Sequence, residues 1–253
     1  DSSFDIDIHG VTVVNFKNKG INVKGIDTQK VSIIGCTVKG SNSTTGAGIS
    51  ITDFIKKDDN DNVIYGNVTY CEVKSNFVES NRIGITVNGS KFINVTDNYV
   101  IDNDDAGISL DGVADDSGDG AQSCIVSDNF VIGNGLDKAL CTFISRAGIY
   151  LGNGADKNIV SNNVIRDNSL GIGYAQTTAV TSTNSSYNNT ITSNQIIGNK
   201  WRGMKFVRMY RAIITDNEVI SNLNGGIEIK DTDETDYIIQ GNNLEGNGTN
   251  GLI

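Results

Sequence analysis

The stretch SDNFVIGN at residues 127–134 returns as SNNVIRDN (161–168), SNQIIGN (193–199) and TDNEVISN (215–222). Each copy holds two asparagines five residues apart with apolar residues between them. The same spacing runs along most of the chain and defines two columns. One holds Asn76, Asn98, Asn129, Asn163, Asn194, Asn217 and Asn242, with Gly10 and Cys36 in the first two copies. The other holds Asn15, Ser41, Asn81, Asn103, Asn134, Asn168, Asn199, Asn222 and Asn247. A Gly-apolar-x-apolar segment follows each copy: GINV at 20, GISI at 48, GITV at 84, GISL at 107, GIYL at 148, GIGY at 171, GMKF at 203, GIEI at 226 and GLI at 251. Such short segments alternate like strands, and ten-residue helical periodicity is missing. Asparagine at a fixed turn tolerates the left-handed backbone and can bond to its own kind from coil to coil. One coil cannot bury its apolar side alone, so the coils must stack around a shared core. The fold class is therefore all-β: a single solenoid of about nine coils filling residues 1–253, with both ends falling inside the repeat. That implies flanking sequence in a longer secreted protein.

Composition narrows the partners. The formal charge of −10 argues against nucleic acid, whose phosphates call for a basic surface. No apolar run is long enough to span a membrane. Seven Asn-x-Ser/Thr sequons (Asn42, Asn67, Asn88, Asn94, Asn184, Asn188, Asn247) fit an extracellular or cell-surface chain. Cys36, Cys71, Cys124 and Cys141 form no CxxC pair, which speaks for buried thiols rather than zinc or thiol chemistry. Cys71 and Cys124 fall in one column two coils apart, about 9.6 Å and too far for a bond.

These repeats resemble the right-handed parallel β-helix of the pectate-lyase-like group, with NosD-type repeats. The resemblance covers nearly the whole chain. It implies a fold shared by polysaccharide lyases, glycoside hydrolases, mannuronan epimerases, phage tailspikes and non-catalytic surface modules. It extends loosely to polysaccharide-degrading enzymes that loosen cell coats.

Repeat spacing places the insertions. From the Gly of one GIxV segment to the next Asn column takes 14 to 16 residues in five of eight cases. The three long cases (48 to 76, 107 to 129, 171 to 194) leave the coil just after the GIxV strand. A fourth insertion, GLDKALCTFISR at 135–146, enters just before one. Loops on both sides of one strand stack predict a groove with that stack as its floor. The outward residues of the floor read Asn22, Ser50, Thr86, Ser109, Tyr150, Gly173, Lys205, Glu228.

The stretch KWRGMKFVRMYRA at 200–212 carries five basic side chains and no acid, inside a 48-position gap between Asp167 and Asp216 that holds no acid at all. Arginine can grip a carboxylate by two parallel bonds, and Trp or Tyr offers a sugar ring a flat face. An acidic, uronate-containing polysaccharide is the expected partner. Elimination at a uronate needs a base for the C5 proton, a cation for the carboxylate and an acid for the leaving oxygen. Lys205 or Arg208 is the candidate base, Tyr150 or a water the acid and Glu228 the neighbouring carboxylate, with Arg202 and Arg211 to hold the carboxylate of the substrate. Trp201, Arg202, Tyr210 and Arg211 would bind substrate, with Ser109, Asp111 and Lys230 completing the contacts. Hydrolysis needs two carboxylates about 5 to 9 Å apart. Asp111 and Glu228 are roughly 19 Å apart by rung count, leaving Asp231 with Glu228, or Asp105 with Asp111. The lone histidine, His9, reads as a surface turn residue. DDSGDG at 115–120 puts Asp115, Ser117 and Asp119 at the spacing of a calcium loop, although Val126 replaces its closing Glu. DDNDN at 58–62 is a weaker match. A non-catalytic adhesin module is the alternative from another class.

Overall fold

The structure is a computed structural model describing residues 4–25, 27–41, 46–53, 55–57, 63–66, 68–112, 120–136, 145–175, 186–230 and 236–252. Three parallel sheets run its length. Sheet 1 has nine strands, from Ile6–His9 to Ile238–Gln240, and sheet 2 has nine, from Thr12–Val14 to Asn243–Glu245. Sheet 3 has eight, from Lys19–Gly25 to Gly225–Lys230, and a bridge from Ile227 to Leu252 marks a ninth rung. Each strand pairs with its equivalents one coil before and after, as Thr86 does with Ser50 and Ser109. This is the right-handed parallel β-helix that the repeats predict. Among the described residues no helix is long and apolar enough to cross a membrane.

Inward side chains from all three sheets merge into one core, exemplified by the fully buried Ile33, Val78 and Ile108. The asparagines close two of its corners. Between sheets 1 and 2, the backbone N–H of Cys36 donates to Asn76 Oδ1 at 2.8 Å. The same bond repeats coil by coil, through Asn129 to Asn163 at 3.0 Å, as far as Asn217 to Asn242 at 3.0 Å. A second ladder between sheets 2 and 3 runs from Ser41–Asn81 at 3.2 Å to Asn222–Asn247 at 3.0 Å. Each Nδ2 also donates to a backbone carbonyl, as Asn163 does to Val126 at 2.9 Å. Turn carbonyls and amides that water cannot reach are thereby satisfied, which removes the cost of burying them bare.

Two details differ from the sequence reading. The ladder asparagines are not the left-handed residues; that backbone belongs to the residue before each, such as Asp97, Asp128 and Ser221. The ladder Asn needs its amide aligned with the coil axis, so its short polar neighbour takes the sharp bend. In the first coil the columns also shift by one. Thr12 pairs with Thr37 and Val14 with Lys39, which aligns Val11 with Cys36 and Phe16 with Ser41. Gly10 and Asn15 instead hold left-handed positions, with φ of 62° and 54°.

The repeated Gly opening each sheet-3 strand is there for close approach. A Cβ on Gly107 would meet the carbonyl oxygen of Gly148 at 2.6 Å, Val131 Cγ1 at 2.7 Å and Asn134 Nδ2 at 2.9 Å. Cys36, Cys71 and Cys124 are buried free thiols, and burial pushes the Cys124 thiol up to about 12. Cys141 lies outside the described residues.

Candidate functional site

The outer face of sheet 3 is a grid whose register fixes every position. The outward column predicted from sequence is present in order: Ser50 pairs with Asn22 and Thr86, Ser109 with Tyr150, Tyr150 with Gly173, and Gly173 with Lys205, which faces Glu228. A parallel column on one side carries Ala147, Leu170 and Arg202, and one on the other carries Asp111, Val207 and Lys230.

Along this grid the chemistry changes in three steps. The first coils hold hydroxyl and amide contacts: Lys19 Nζ donates to Ser50 Oγ at 2.9 Å, and Thr86 Oγ1 donates to Asn88 Oδ1 at 2.9 Å. The middle coils hold an apolar cluster separate from the core, made of Ala106, Ala147, Tyr150 and Leu170 with Trp201 packed against it. The last coils hold charge. Glu228 Oε2 lies 2.7 Å from Arg202 Nε and 3.1 Å from Lys205 Nζ. Both are ion-pair contacts that miss hydrogen-bond geometry, leaving Arg202 Nε and Glu228 Oε2 buried without a hydrogen-bond partner. The Lys205 ammonium also sits 4.4 Å from the centre of the Trp201 ring, and the Arg202 guanidinium 5.7 Å from it.

The floor is less open than the spacing of the insertions suggested. Ser109 and Tyr150 are 4% and 6% exposed, so neither offers a flat surface to a polymer. The Tyr150 hydroxyl donates to the Ala175 carbonyl one coil on, at 3.1 Å. Burial first, then the charge of Asp111, raises the phenol above its usual range. The Asp111 carboxylate fills the space left by the missing side chain of Gly152, where a Cβ would meet its Oδ1 at 2.0 Å and Tyr150 Cε1 at 2.8 Å. Burial pushes Asp111 up to about 6, against the pull of backbone N–H donors from Gly112 and Asn153.

The basic stretch at 200–212 does not stay together. Trp201, Arg202 and Lys205 belong to the sheet-3 face. Arg208, with φ of 61°, turns the chain, and Tyr210 and Arg211 stand beyond it at the corner leading to sheet 1. There the Tyr210 ring lies 5.4 Å from that of Tyr187, and Arg211 pairs with Asp236 at 3.6 Å. Asp111 ends the strand Ile108–Asp111, while Asp105 lies before its start. Asp105 sits between Arg82 at 3.4 Å and Arg146 at 3.8 Å. Asp115, Ser117 and Asp119 lie outside the described residues, as do Asp231 and the DDNDN stretch.

One feature escaped the sequence reading. Asn158 and Asn189 form a third, short ladder at the corner between sheets 3 and 1, where the Cys124 amide donates to Asn158 at 2.9 Å and the Asn158 amide to Asn189 at 3.0 Å. Its only sequence signal is an Asn just before the sheet-1 strand in two successive coils.

Comparison with known proteins places this geometry. A family model described as "Right handed beta helix region" matches residues 117–253, and one described as "Periplasmic copper-binding protein (NosD)" matches residues 3–181. No curated protein sequence matches the chain. Among solved structures, a double mutant of the periplasmic alginate epimerase AlgG is similar over 97% of this chain, with 16% identity and a TM-score of 0.74. The chain spans 55% of the length of that epimerase. The Streptococcus pneumoniae surface protein and adhesin PfbA is similar over 98% of this chain and 67% of its own, at 12% identity and TM-score 0.68. The enzymatically active domain of bacteriophage CBA120 tailspike protein 2 is similar over 94% of this chain and 35% of its own, at 11% identity and TM-score 0.65.

Copper, which the second description names, finds no matching donor set among the described residues. Copper sites draw on His, Cys and Met. Here His9 is exposed beside Asp7 at 3.9 Å, Met204 and Met209 are fully buried in the core, and the described thiols are dispersed over separate coils. Among the described residues no three His, Cys, Asp or Glu side chains group to hold an ion. With its ladders, its three parallel sheets and family matches that each cover more than half of its length, the chain belongs to the right-handed β-helix and NosD families.

Proposed function

We propose that the chain is a non-cytoplasmic carbohydrate-active protein that binds a uronate-containing polysaccharide on the outer face of sheet 3 and cleaves it by β-elimination. The observation that carries this reading is the meeting of Lys205, Arg202 and the Trp201 ring beside the side-chain-free position of Gly173, with Tyr150 one rung beyond. Trp201 would stack on a sugar ring and Arg202 would hold its carboxylate. Lys205 would take the C5 proton, and the freed pair would form the double bond to C4 as the glycosidic oxygen leaves with a proton from water, since the Tyr150 hydroxyl is buried on the Ala175 carbonyl. The carbohydrate partner draws further support from the alginate epimerase among the structural neighbours. Their periplasmic and surface descriptions support a site outside the cytoplasm.

A second reading rests on Glu228. Its carboxylate already contacts both cations, so a uronate must displace it or share them. That favours a non-catalytic surface module in which the ion pairs only pack coils together. Incubation with a panel of uronate polysaccharides, with and without calcium, separates the readings. A rise in the ultraviolet absorbance of an unsaturated uronate, lost in Lys205→Ala, supports elimination, and dependence on calcium would implicate the loop of Asp115, Ser117 and Asp119. New reducing ends without that absorbance mean hydrolysis. Retention of polymer with neither signal leaves the surface module standing.

A further inference from the structure

The three corners of the coil all bend through left-handed residues, yet they are built from different chemistry. At the corners from sheet 1 to 2 and from 2 to 3, every such position is Gly, Ser, Asp or Asn, the residues that tolerate this backbone. At the corner from sheet 3 to 1 the left-handed column leading into sheet 1 reads Asp5, Lys30, Tyr70, Phe92, Ser123, Lys157, Asn188 and Arg211, so five of its eight positions hold bulky residues, at φ between 50° and 57°. Backbone bonds such as Tyr70 to Lys91 at 3.3 Å and Phe92 to Gln122 at 3.0 Å stack these turns into one continuous strip. Bulky aromatics are strongly disfavoured in this conformation. Tyr70 and Phe92 are 57% and 44% exposed.

The strip is ordered in a second way. Its cations fall on every other coil: Lys30, then Lys91 beside Phe92, then Lys157, then Arg211. Two rungs are about 9.6 Å, so the positive charges repeat at that interval. Among the described residues of the strip, Asp156 pairs with Lys157 at 2.9 Å, and Asp5 and Asp236 stand at its two ends against Lys30 and Arg211. Tyr70 and Phe92 stack with centroids 5.0 Å apart, close to the rung spacing, which turns the second face of Phe92 toward the small Ser123. An aromatic face opening onto a short residue, with a lysine one coil further, is a seat for a sugar ring bearing an acid.

We propose that this corner is a second binding surface, for a polysaccharide lying along the coil axis with one carboxylate on every second sugar. The period favours such a chain over nucleic acid, whose phosphates are several times denser and are repelled by a protein of net charge −10. The conformational cost supplies a test that folding defects cannot mimic. Replacing Tyr70, Phe92 and Lys157 together by Asn puts a residue suited to the left-handed turn at each position. If the strip exists for binding, the variant melts a few degrees higher while its affinity for hyaluronan falls about tenfold or more. Running both proteins in a Trp201→Ala, Arg202→Ala background removes the sheet-3 contacts from the measurement, so failure of one surface is not mistaken for failure of the other. Unchanged hyaluronan affinity, a lowered melting temperature, no binding by the parent, equal binding of neutral dextran, or tighter binding of duplex DNA would each overturn the proposal.

Discussion

At the scale of single residues, the described part of the grid holds one carboxyl group displaced toward neutrality. Asp111 stands at about 6 because the sheet-3 face shuts out water around it, while an unfolded chain would leave it near 3.8. The folded state therefore binds the proton more tightly. Between those two values it holds more protons than the unfolded state, so stability falls as pH rises from about 4 to 6 and stays reduced above. The shift corresponds to about 3 kcal/mol as an upper bound. Asp111→Asn keeps the shape and removes the charge, and is expected to raise the melting temperature at neutral pH while leaving it nearly unchanged at pH 4. Thermal melts of the two proteins across this range check the sign. An equal gain at both pH values would show that the carboxylate is not the cause.

At the scale of the element, the ladder is what makes a coil. Asn163 is fully buried, donates through Nδ2 to Val126, Ser161 and Asn194, and accepts from both nitrogens of Asn129. Asn163→Ala strands several of these groups where water cannot reach, at a cost of about 3 kcal/mol or more. Asn242→Ala, at the last coil and only partly buried, leaves groups that water can serve and should cost clearly less. Urea melts of both variants test the ordering, and equal losses would mean that the ladder acts by turn geometry alone. The element scale was also where the sequence was most readable. Asn at a five-residue offset and Gly before an apolar alternation each answer one steric demand, so both columns and the strand stack, down to Tyr150 facing Gly173, could be traced by register. The shift at Gly10 and Asn15 was hidden because Asn and Gly suit both the ladder and the left-handed position beside it. Exposure of the floor was hidden too, since spacing says which way Ser109 points but not what closes over it. The separation of Arg208, Tyr210 and Arg211 from Lys205 depends on a turn whose left-handed residue is an arginine, which carries no turn signal.

At the scale of the whole molecule, a solenoid is a sum of coils and their interfaces, and this makes function separable from fold. Thr192 and Thr215 are equivalent positions one coil apart, paired across sheet 1 and 3.0 Å apart at their hydroxyls. Joining Thr192 directly to Asp216 deletes residues 193–215 without changing register. Asn217 would then receive the amide of Asn163, and Ile213–Thr215 would be replaced in its pairing by Thr190–Thr192. The deleted coil carries Trp201, Arg202, Lys205, Tyr210 and Arg211, and with them one rung of each ladder, Asn194 and Asn199, whose places Asn217 and Asn222 would take. The shortened chain is expected to keep its β-sheet circular dichroism and a cooperative melt, and to lose uronate polymer binding at sheet 3. A deletion one residue shorter, which leaves Thr215 in place, should fail to fold, because every side chain beyond the junction would trade the core face for the solvent face. Should both deletions fold equally well, register would not be what holds the coils together. Should the in-register deletion bind polymer as before, the sheet-3 site would lie in coils other than the one bearing Lys205.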